Sequence, residues 1–316
     1  MHGGLAKWAA RVLCVGALVA WPFTSGARPV EPDAPKRCGE CEAWNRDQEP
    51  FRVFGNTWYV GTAGLSAILI ASGRDLVLID GDLPQSAPLI AAHIVKLGYR
   101  IEDVKLILNS HTHFDHAGGI AALARASGAE VAASPASARA LEQGGPTDDD
   151  PQFGFGAQST GFPRVPHVRV VRDGETLHVG DLAVTARFTP GHTPGGTSWT
   201  WRSCEGGRCL DIVYADSLSA VSAPAFLYTM DVRHPDRVAQ FRRSIDRVGK
   251  LRCDVLLSPH PDFFDMEGKL KLLRPGSGTN PFVDADACKA YAAEARRGLE
   301  RREATERRAT RMRHDR

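Results

Sequence analysis

Between the apolar run Lys105–Asn109 and the pair Gly118-Gly119, the chain places three histidines and an aspartate within six residues: His111, His113, Asp115 and His116. A strand that ends in such a cluster and then opens a helix is a strong constraint on the fold, because α/β sheets carry their sites at the C-terminal ends of strands. Residues two apart in an extended segment point the same way, so His111 and His113 can serve one metal ion together. The turn into a helix then swings Asp115 and His116 toward a second ion. Gly118 and Gly119 permit close backbone approach there. Imidazole and carboxylate are ligands suited to zinc, so the cluster points to a metal centre.

Two more histidines stand in similar settings. His192 lies in the turn Thr189-Pro190-Gly191-His192-Thr193-Pro194-Gly195-Gly196, after the strand predicted at Leu182–Phe188. His260 follows another apolar strand, and Pro259 and Pro261 hold it extended. With the first cluster these complete two three-residue sets. His93, His167, His178 and His234 join no cluster, and ordinary core or surface roles are expected for them.

Along the chain, short strands are predicted at Phe51–Phe54, Thr57–Val60, Ser66–Ala71 and Leu76–Asp80, separated by glycine-containing turns. A helix at 86–98, a strand at Lys105–Asn109, a helix from His116 to 126 and a strand at Glu130–Ala133 follow. A second set of strands falls at His167–Val171, Leu182–Phe188, Thr197–Arg202 and Asp211–Tyr214, then a helix at 235–249 and a strand at Asp254–Ser258. Two packed sheets with helices on their outer faces accommodate this order. The Gly- and Pro-rich stretch 145–166 carries Phe153, Phe155 and Phe162, and a loop of that length reads as a binding loop. A hydrophobic share of 43% with a net charge of +2 excludes a disordered chain and gives no global argument for nucleic acid.

The N-terminus has Lys7 and Arg11 before an apolar run at 12–23 that is too short to span a bilayer. It ends in Ser25-Gly26-Ala27, which fits a secretory signal at 1–27 cleaved after Ala27. A Pro-rich, charged arm is expected at 28–50. Export leaves six cysteines, which by proximity pair as Cys38–Cys41, Cys204–Cys209 and Cys253–Cys288, although other connectivities satisfy the count. Cys-x2-Cys occurs once, without the second pair that a four-thiolate zinc site needs. The segment 291–316 holds nine Arg against four Glu and one Asp. It reads as the solvated, fraying end of a terminal helix, because it lacks the interleaved aromatics of a nucleic-acid surface.

These residues resemble the metallo-β-lactamase fold hydrolases, whose HxHxDH signature is His111 to His116 here. The resemblance is more specific for subclass B3 metallo-β-lactamases. It rests on Ala43-Trp44-Asn45 leading into Tyr59-Val60-Gly61-Thr62, on the Gly191–Gly196 turn, on Ala215-Asp216-Ser217-Leu218-Ser219, and on Ser258-Pro259-His260-Pro261. It covers about 43–290, and pairs 204/209 and 253/288 look like those of some members. The resemblance implies an α/β, four-layer αββα sandwich of two mixed β-sheets, with the catalytic domain at 51–290. It also implies two Zn2+ ions, one on His111, His113 and His192, the other on Asp115, His116 and His260. Ser217 stands where subclass B1 enzymes carry a cysteine ligand, which fits B3.

The activity implied is hydrolysis of the β-lactam amide bond of penicillins, cephalosporins and carbapenems by a zinc-bound hydroxide, conferring antibiotic resistance. Two zincs about 3.5–4 Å apart make such a hydroxide available at neutral pH. Asp115 is the expected proton acceptor, Ser217 and Ser219 are expected to bind the substrate carboxylate, and Gln152 and Phe155 its variable side chains. Asp80, ending a strand, is expected to orient a ligand histidine. A monomer in the periplasm or outside the cell is expected, with small-molecule substrates, no nucleic acid, and no membrane contact after signal cleavage. Two alternatives remain. One is another di-zinc hydrolase of this fold, a lactonase, thioesterase or phosphodiesterase, which a metal-bridging Asp216 would favour. The other is a non-catalytic secreted protein, zinc-binding or nucleic-acid-binding, that uses the basic tail.

Overall fold

The computed structural model describes residues 1–3, 30–274 and 279–314. The predicted signal segment lies almost wholly at 4–29, outside the described residues. Strands β1 (Phe51–Phe54), β2 (Thr57–Tyr59), β3 (Ile68–Ser72), β4 (Asp75–Ile79), β5 (Val104–Leu108), β6 (Glu130–Ala133) and β7 (Val168–Val170) form one sheet in sequence order. It is antiparallel from β1 to β4 and parallel from β4 to β7. Strands β8 (Thr176–Val179), β9 (Leu182–Phe188), β10 (Thr197–Glu205), β11 (Arg208–Tyr214) and β12 (Val255–Leu257) form the second, in the order β12-β11-β10-β9-β8. Only its β11–β12 pairing is parallel.

Side-chain alternation explains the layers. In β3, β4 and β5 the residues Ile68, Ile70, Val77, Ile79, Leu106 and Leu108 face the second sheet and pack with Trp199, Ile212 and Tyr214. Their neighbours Leu69, Leu76, Leu78 and Ile107 face the other way, onto helices. Both faces of these strands are buried, so they read as continuous apolar runs. Helices α1 (Ala87–Lys96), α2 (Ile120–Ser127) and α3 (Pro135–Gln143) cover the first sheet through Ile90, Ile94, Leu123 and Leu141. Helices α4 (Arg237–Gly249) and α5 (Ala287–His314) lie on the second through Phe241, Ile245, Val248 and Leu299. Each such fully buried side chain contributes about 1.5–3 kcal/mol of transfer free energy. The result is the αββα sandwich of two mixed sheets.

Strand β8 and helix α3 were not foreseen. The helix expected from His116 to 126 is split: a single turn at Phe114–Ala117, then α2 from Ile120. The split falls at Gly118-Gly119, where an added Cβ would collide with the Pro84 ring and with the Gly81 carbonyl. The expected disulfides form, with Sγ–Sγ separations of 2.09 Å for Cys38–Cys41 and 2.03 Å for both Cys204–Cys209 and Cys253–Cys288.

The C-terminal segment corrects its reading as a fraying end. Helix α5 is continuous from Ala287 to His314, so the boundary expected at 290 falls inside it. Leu299, Glu303 and Glu306 are buried against the body of the protein. Glu306 accepts hydrogen bonds from the backbone N–H groups of Tyr228 and Thr229, and Arg242 pairs with Glu303. Many of its arginines are spent on neighbours, among them Arg296 on Asp246, Arg297 and Arg301 on Glu294, Arg302 on Glu306 and Arg307 on Glu303. Its first half docks through Cys288, Ala292, Ala295 and Leu299, and its second half through charge pairs, whose arginines are why the sequence read as solvated. No described helix is long and apolar enough to cross a membrane.

Candidate metal centre

All six predicted ligands converge at one edge of the sandwich. His111 and His113 leave the end of β5, Asp115 and His116 sit on the following turn, His192 comes from the turn after β9, and His260 follows β12. The ligand atoms of His111, His113 and His192 form one group and those of Asp115, His116 and His260 another, each within 4.8 Å. The second group is tight. His116 Nε2 lies 3.2 Å from His260 Nε2 and 3.2 Å from Asp115 Oδ2, and His260 Nε2 lies 3.4 Å from that same oxygen. Zinc held tetrahedrally by N and O at about 2.0–2.1 Å has ligand–ligand edges of about 3.3–3.4 Å. The donor set and its spacing fit such an ion.

The first group fits for another reason. Each of its histidines has its other ring nitrogen anchored. His111 Nδ1 lies 2.8 Å from Asp216 Oδ1, His113 Nε2 lies 3.2 Å from Asp150 Oδ1, and His192 Nδ1 lies 2.8 Å from the Ser219 carbonyl oxygen. A carboxylate or carbonyl on one nitrogen fixes the proton there and leaves the opposite nitrogen's lone pair for a metal. Such outer partners are a regular part of histidine metal sites. Glycine makes room for one of them: a Cβ on Gly196 would strike the Asp216 carboxylate.

Electrostatics favour neutral imidazoles at His111, His116 and His192 and an ionised Asp115, while His113 is shifted the other way. Burial, reinforced by the neighbouring imidazoles of His116, His192 and His113, holds His111 well below the usual imidazole range. Burial and His113 push His192 down to about 3. Burial also lowers His116, against the pull of Asp115. For His113 burial is outweighed by Asp150, which raises it. Burial opposes the charge on Asp115, yet His116 and His260 outweigh it and hold the carboxyl well below the usual range.

The centre opens into a cleft of about 930 Å³ whose walls include His113, Asp115, His192 and His260 together with Gln152, Phe155 and Ser219. Gln152 and Phe155 reach this wall from the loop 145–166. Trp44 and Phe263 flank the His260 ring at centroid distances of 5.5 Å each. Lys36 ties the N-terminal arm to this loop through the carbonyls of Gln158 and Gly161.

Two expectations need correction. Ser217 is 1% exposed and absent from the cleft wall, so of the alternating pair only Ser219 reaches the cleft. Asp80 touches no ligand histidine. Its carboxylate accepts from Asn109 Nδ2, from the Ser110 N–H and hydroxyl, and from the Tyr214 hydroxyl. It therefore fixes the backbone just before His111. Burial pushes its carboxyl up to about 7 despite these hydrogen bonds. Asp216 Oδ1 lies 2.8 Å from His111 Nδ1, and its carboxylate falls in neither ligand group found among the described residues. Asp150 was missed. It is the last of three consecutive aspartates in a loop, and nothing local distinguishes it from Asp148 and Asp149.

Comparison with known proteins agrees with this geometry. The pattern of the metallo-beta-lactamase superfamily matches residues 61–260. The chain belongs to that superfamily. Within it the likeness runs to subclass B3. The solved structure of Rm3 metallo-beta-lactamase is 50% identical, with a TM-score of 0.82, over 86% of this chain and all of that one. MEM-A1, a subclass B3 metallo-beta-lactamase from a soil metagenome library, is 49% identical at a TM-score of 0.80, over 84% of this chain and 99% of that one. A hydroxyacylglutathione hydrolase of Anaeromyxobacter dehalogenans (strain 2CP-C) is 33% identical over 143 residues, which is 45% of this chain. The match takes in 42% of that curated relative, less than half its length.

Proposed function

We propose that the protein is a zinc-dependent β-lactamase of the B3 kind, which opens the amide bond of penicillins, cephalosporins and carbapenems and so confers antibiotic resistance. The observation that carries the reading is the pair of three-residue ligand groups at the floor of one open cleft. A structural zinc would be closed by four protein ligands, whereas three per group leave positions free for water and substrate. Two zinc ions bound there would supply Lewis acidity and a water of lowered pKa.

The chain's own residues do the rest. Asp115 faces the cleft with its carboxyl held ionised, so it can take a proton at a carboxylate oxygen as the lactam ring opens. Asp216, Asp150 and the Ser219 carbonyl hold the three histidines in one tautomer and orientation. The Ser219 hydroxyl and Arg37, which also lines the cleft, are placed to meet a substrate carboxylate. Phe155 and Gln152 offer an apolar face and an amide to the substrate's variable arm. A signal at 1–27, an arm at 28–50, a catalytic domain from 51 completed by α5, a monomeric state and a periplasmic or secreted location complete the proposal. The three cystines suit an oxidising compartment.

The partial likeness to hydroxyacylglutathione hydrolases favours a second reading, a thioesterase. Asp216 stands against it, since its carboxylate is engaged by His111. Turnover of a chromogenic cephalosporin, a carbapenem and a lactoylglutathione thioester by the zinc-loaded protein separates the two. β-Lactam turnover at least about 100-fold above thioester turnover, a gap of about 2.7 kcal/mol, is expected. The reverse order would replace the β-lactamase reading with the thioesterase.

A further inference from the structure

The segment 215–219 contributes twice to the three-histidine group, through the Asp216 carboxylate on His111 and the Ser219 carbonyl on His192. After the Ala215 N–H, which donates to the Leu257 carbonyl at 2.8 Å, it has no strand pairing among the described residues, so side chains must hold its backbone. The Ser198 hydroxyl accepts from the Asp216 N–H at 3.0 Å, and one further side chain holds the next two peptide groups. The Tyr291 hydroxyl, on the first turns of α5, donates to the Asp216 carbonyl oxygen at 2.9 Å and accepts from the Leu218 N–H at 3.0 Å. A single phenol thus closes both peptide groups that flank Ser217. The Ser258 hydroxyl, two residues before His260, lies 3.5 Å from the same oxygen. The Phe263 ring packs between Tyr291 and His260, at centroid distances of 5.9 and 5.5 Å.

We propose that Tyr291 is a positioning residue for the metal centre: its hydroxyl sets the 216–219 backbone and thereby the orientation of His111 and His192. The inference rests on the reading that His111, His113 and His192 hold a metal ion. The C-terminal helix then does more than cover the second sheet, because it carries the clamp that pre-organises the ligands. Partners one step beyond a metal's ligands change affinity by about 10–100-fold when removed, and a residue one step further back, acting through two such partners, should fall just below that range.

The test is Tyr291→Phe, which keeps the ring and removes only the hydroxyl. Cobalt(II) is titrated into the metal-free full-length protein against a chromophoric chelator, and its visible absorption bands are recorded. The expected result is a folded Y291F protein whose three-histidine site binds cobalt about 3–10-fold more weakly, with shifted bands. A merely structural role would lower the melting temperature and leave affinity and bands unchanged, and that outcome overturns the proposal. Should Y291F fail to fold, hydrogen exchange at the Leu218 amide of the unaltered metal-free protein decides instead. Protection there before metal is added supports the clamp, and protection that appears only with metal overturns it. Failure of the underlying metal-site reading looks different: the unaltered protein itself would bind no stoichiometric cobalt.

Discussion

Asp216 Oδ1 sits 2.8 Å from His111 Nδ1, and both side chains are almost fully buried. This carboxylate therefore anchors one histidine of the candidate three-histidine group. Replacing Asp216 with Ala should weaken zinc binding at the three-histidine group by about 10–100-fold. Asp216→Asn, which keeps an acceptor oxygen, should lose less. Competition against a chromophoric chelator measures both, and equal affinity for all three proteins would show that Asp216 supports nothing.

Asp80 acts one step further back. Four donors converge on its carboxylate, and Asp80→Ala would strand the Ser110 N–H and hydroxyl in a buried environment, while Asn109 Nδ2 and the Tyr214 hydroxyl keep the His111 and Ser66 carbonyls. Each stranded donor costs about 1–3 kcal/mol, partly relieved where water enters, so a loss of about 3–5 kcal/mol is expected. Thermal unfolding of the metal-loaded protein reads this as a melting temperature lower by about 10 °C. A shift of a degree or less would mean that the network carries no stability.

The pH dependence of stability has one well-defined contributor away from the metal centre. Asp103 accepts from Arg100 Nη2 at 2.8 Å, Arg74 Nη1 at 2.9 Å and the Arg100 N–H at 2.9 Å, and its pKa falls to about 2 with Arg100 as the main cause. The folded pKa lies below the unfolded one. The stabilisation is therefore complete above about pH 4 and is lost as pH falls toward 2. Because both guanidinium groups are largely exposed, a contribution of about 1–2 kcal/mol is expected at pH 7. Urea unfolding should find Asp103→Asn less stable by that amount at pH 7, with the difference shrinking below pH 4. A difference that stays constant down to pH 2.5 would assign the effect to packing rather than charge.

Helix α5 gives a contrast between two truncations. Ending the chain after residue 290 removes Tyr291, Leu299 and Glu306, with their contacts to the 216–229 region, and should leave a protein that unfolds at least about 10 °C lower or does not accumulate. Ending it after residue 309 removes only the last turns and should shift the melting temperature by about 2 °C or less. Similar stability for both would return the helix to the role of an appended tail.

The two candidate ligand groups were legible in the sequence because metal binding needs particular side chains at strand ends, and those positions show as short motifs after apolar runs. The sandwich was legible from the doubly buried β3, β4 and β5. What escaped depends on distance in the chain. Asp150 meets His113 across 37 residues, and Tyr291 meets Asp216 across 75. Ser217 and Ser219 are alike locally, and only the packing of the segment under α5 decides which one faces the cleft. Asp80 was assigned to a histidine when its true partners are Asn109, Ser110 and Tyr214, because a strand-end carboxylate does not reveal which donors the neighbouring strands bring to it. Helix α5 hid the second half of its docking face by burying Glu303 and Glu306, where the apolar stripe of its first half gives way to charge.

The central claim is that two zinc ions held by these six residues make the protein a β-lactam hydrolase. The most direct test strips the protein with a chelator and follows carbapenem hydrolysis as zinc is returned. The account predicts no turnover in the metal-free protein, recovery that is complete by two equivalents of zinc, and loss of that recovery in His116→Ala. Turnover by the metal-free protein, or a protein that binds two zinc ions and hydrolyses no β-lactam, would contradict it.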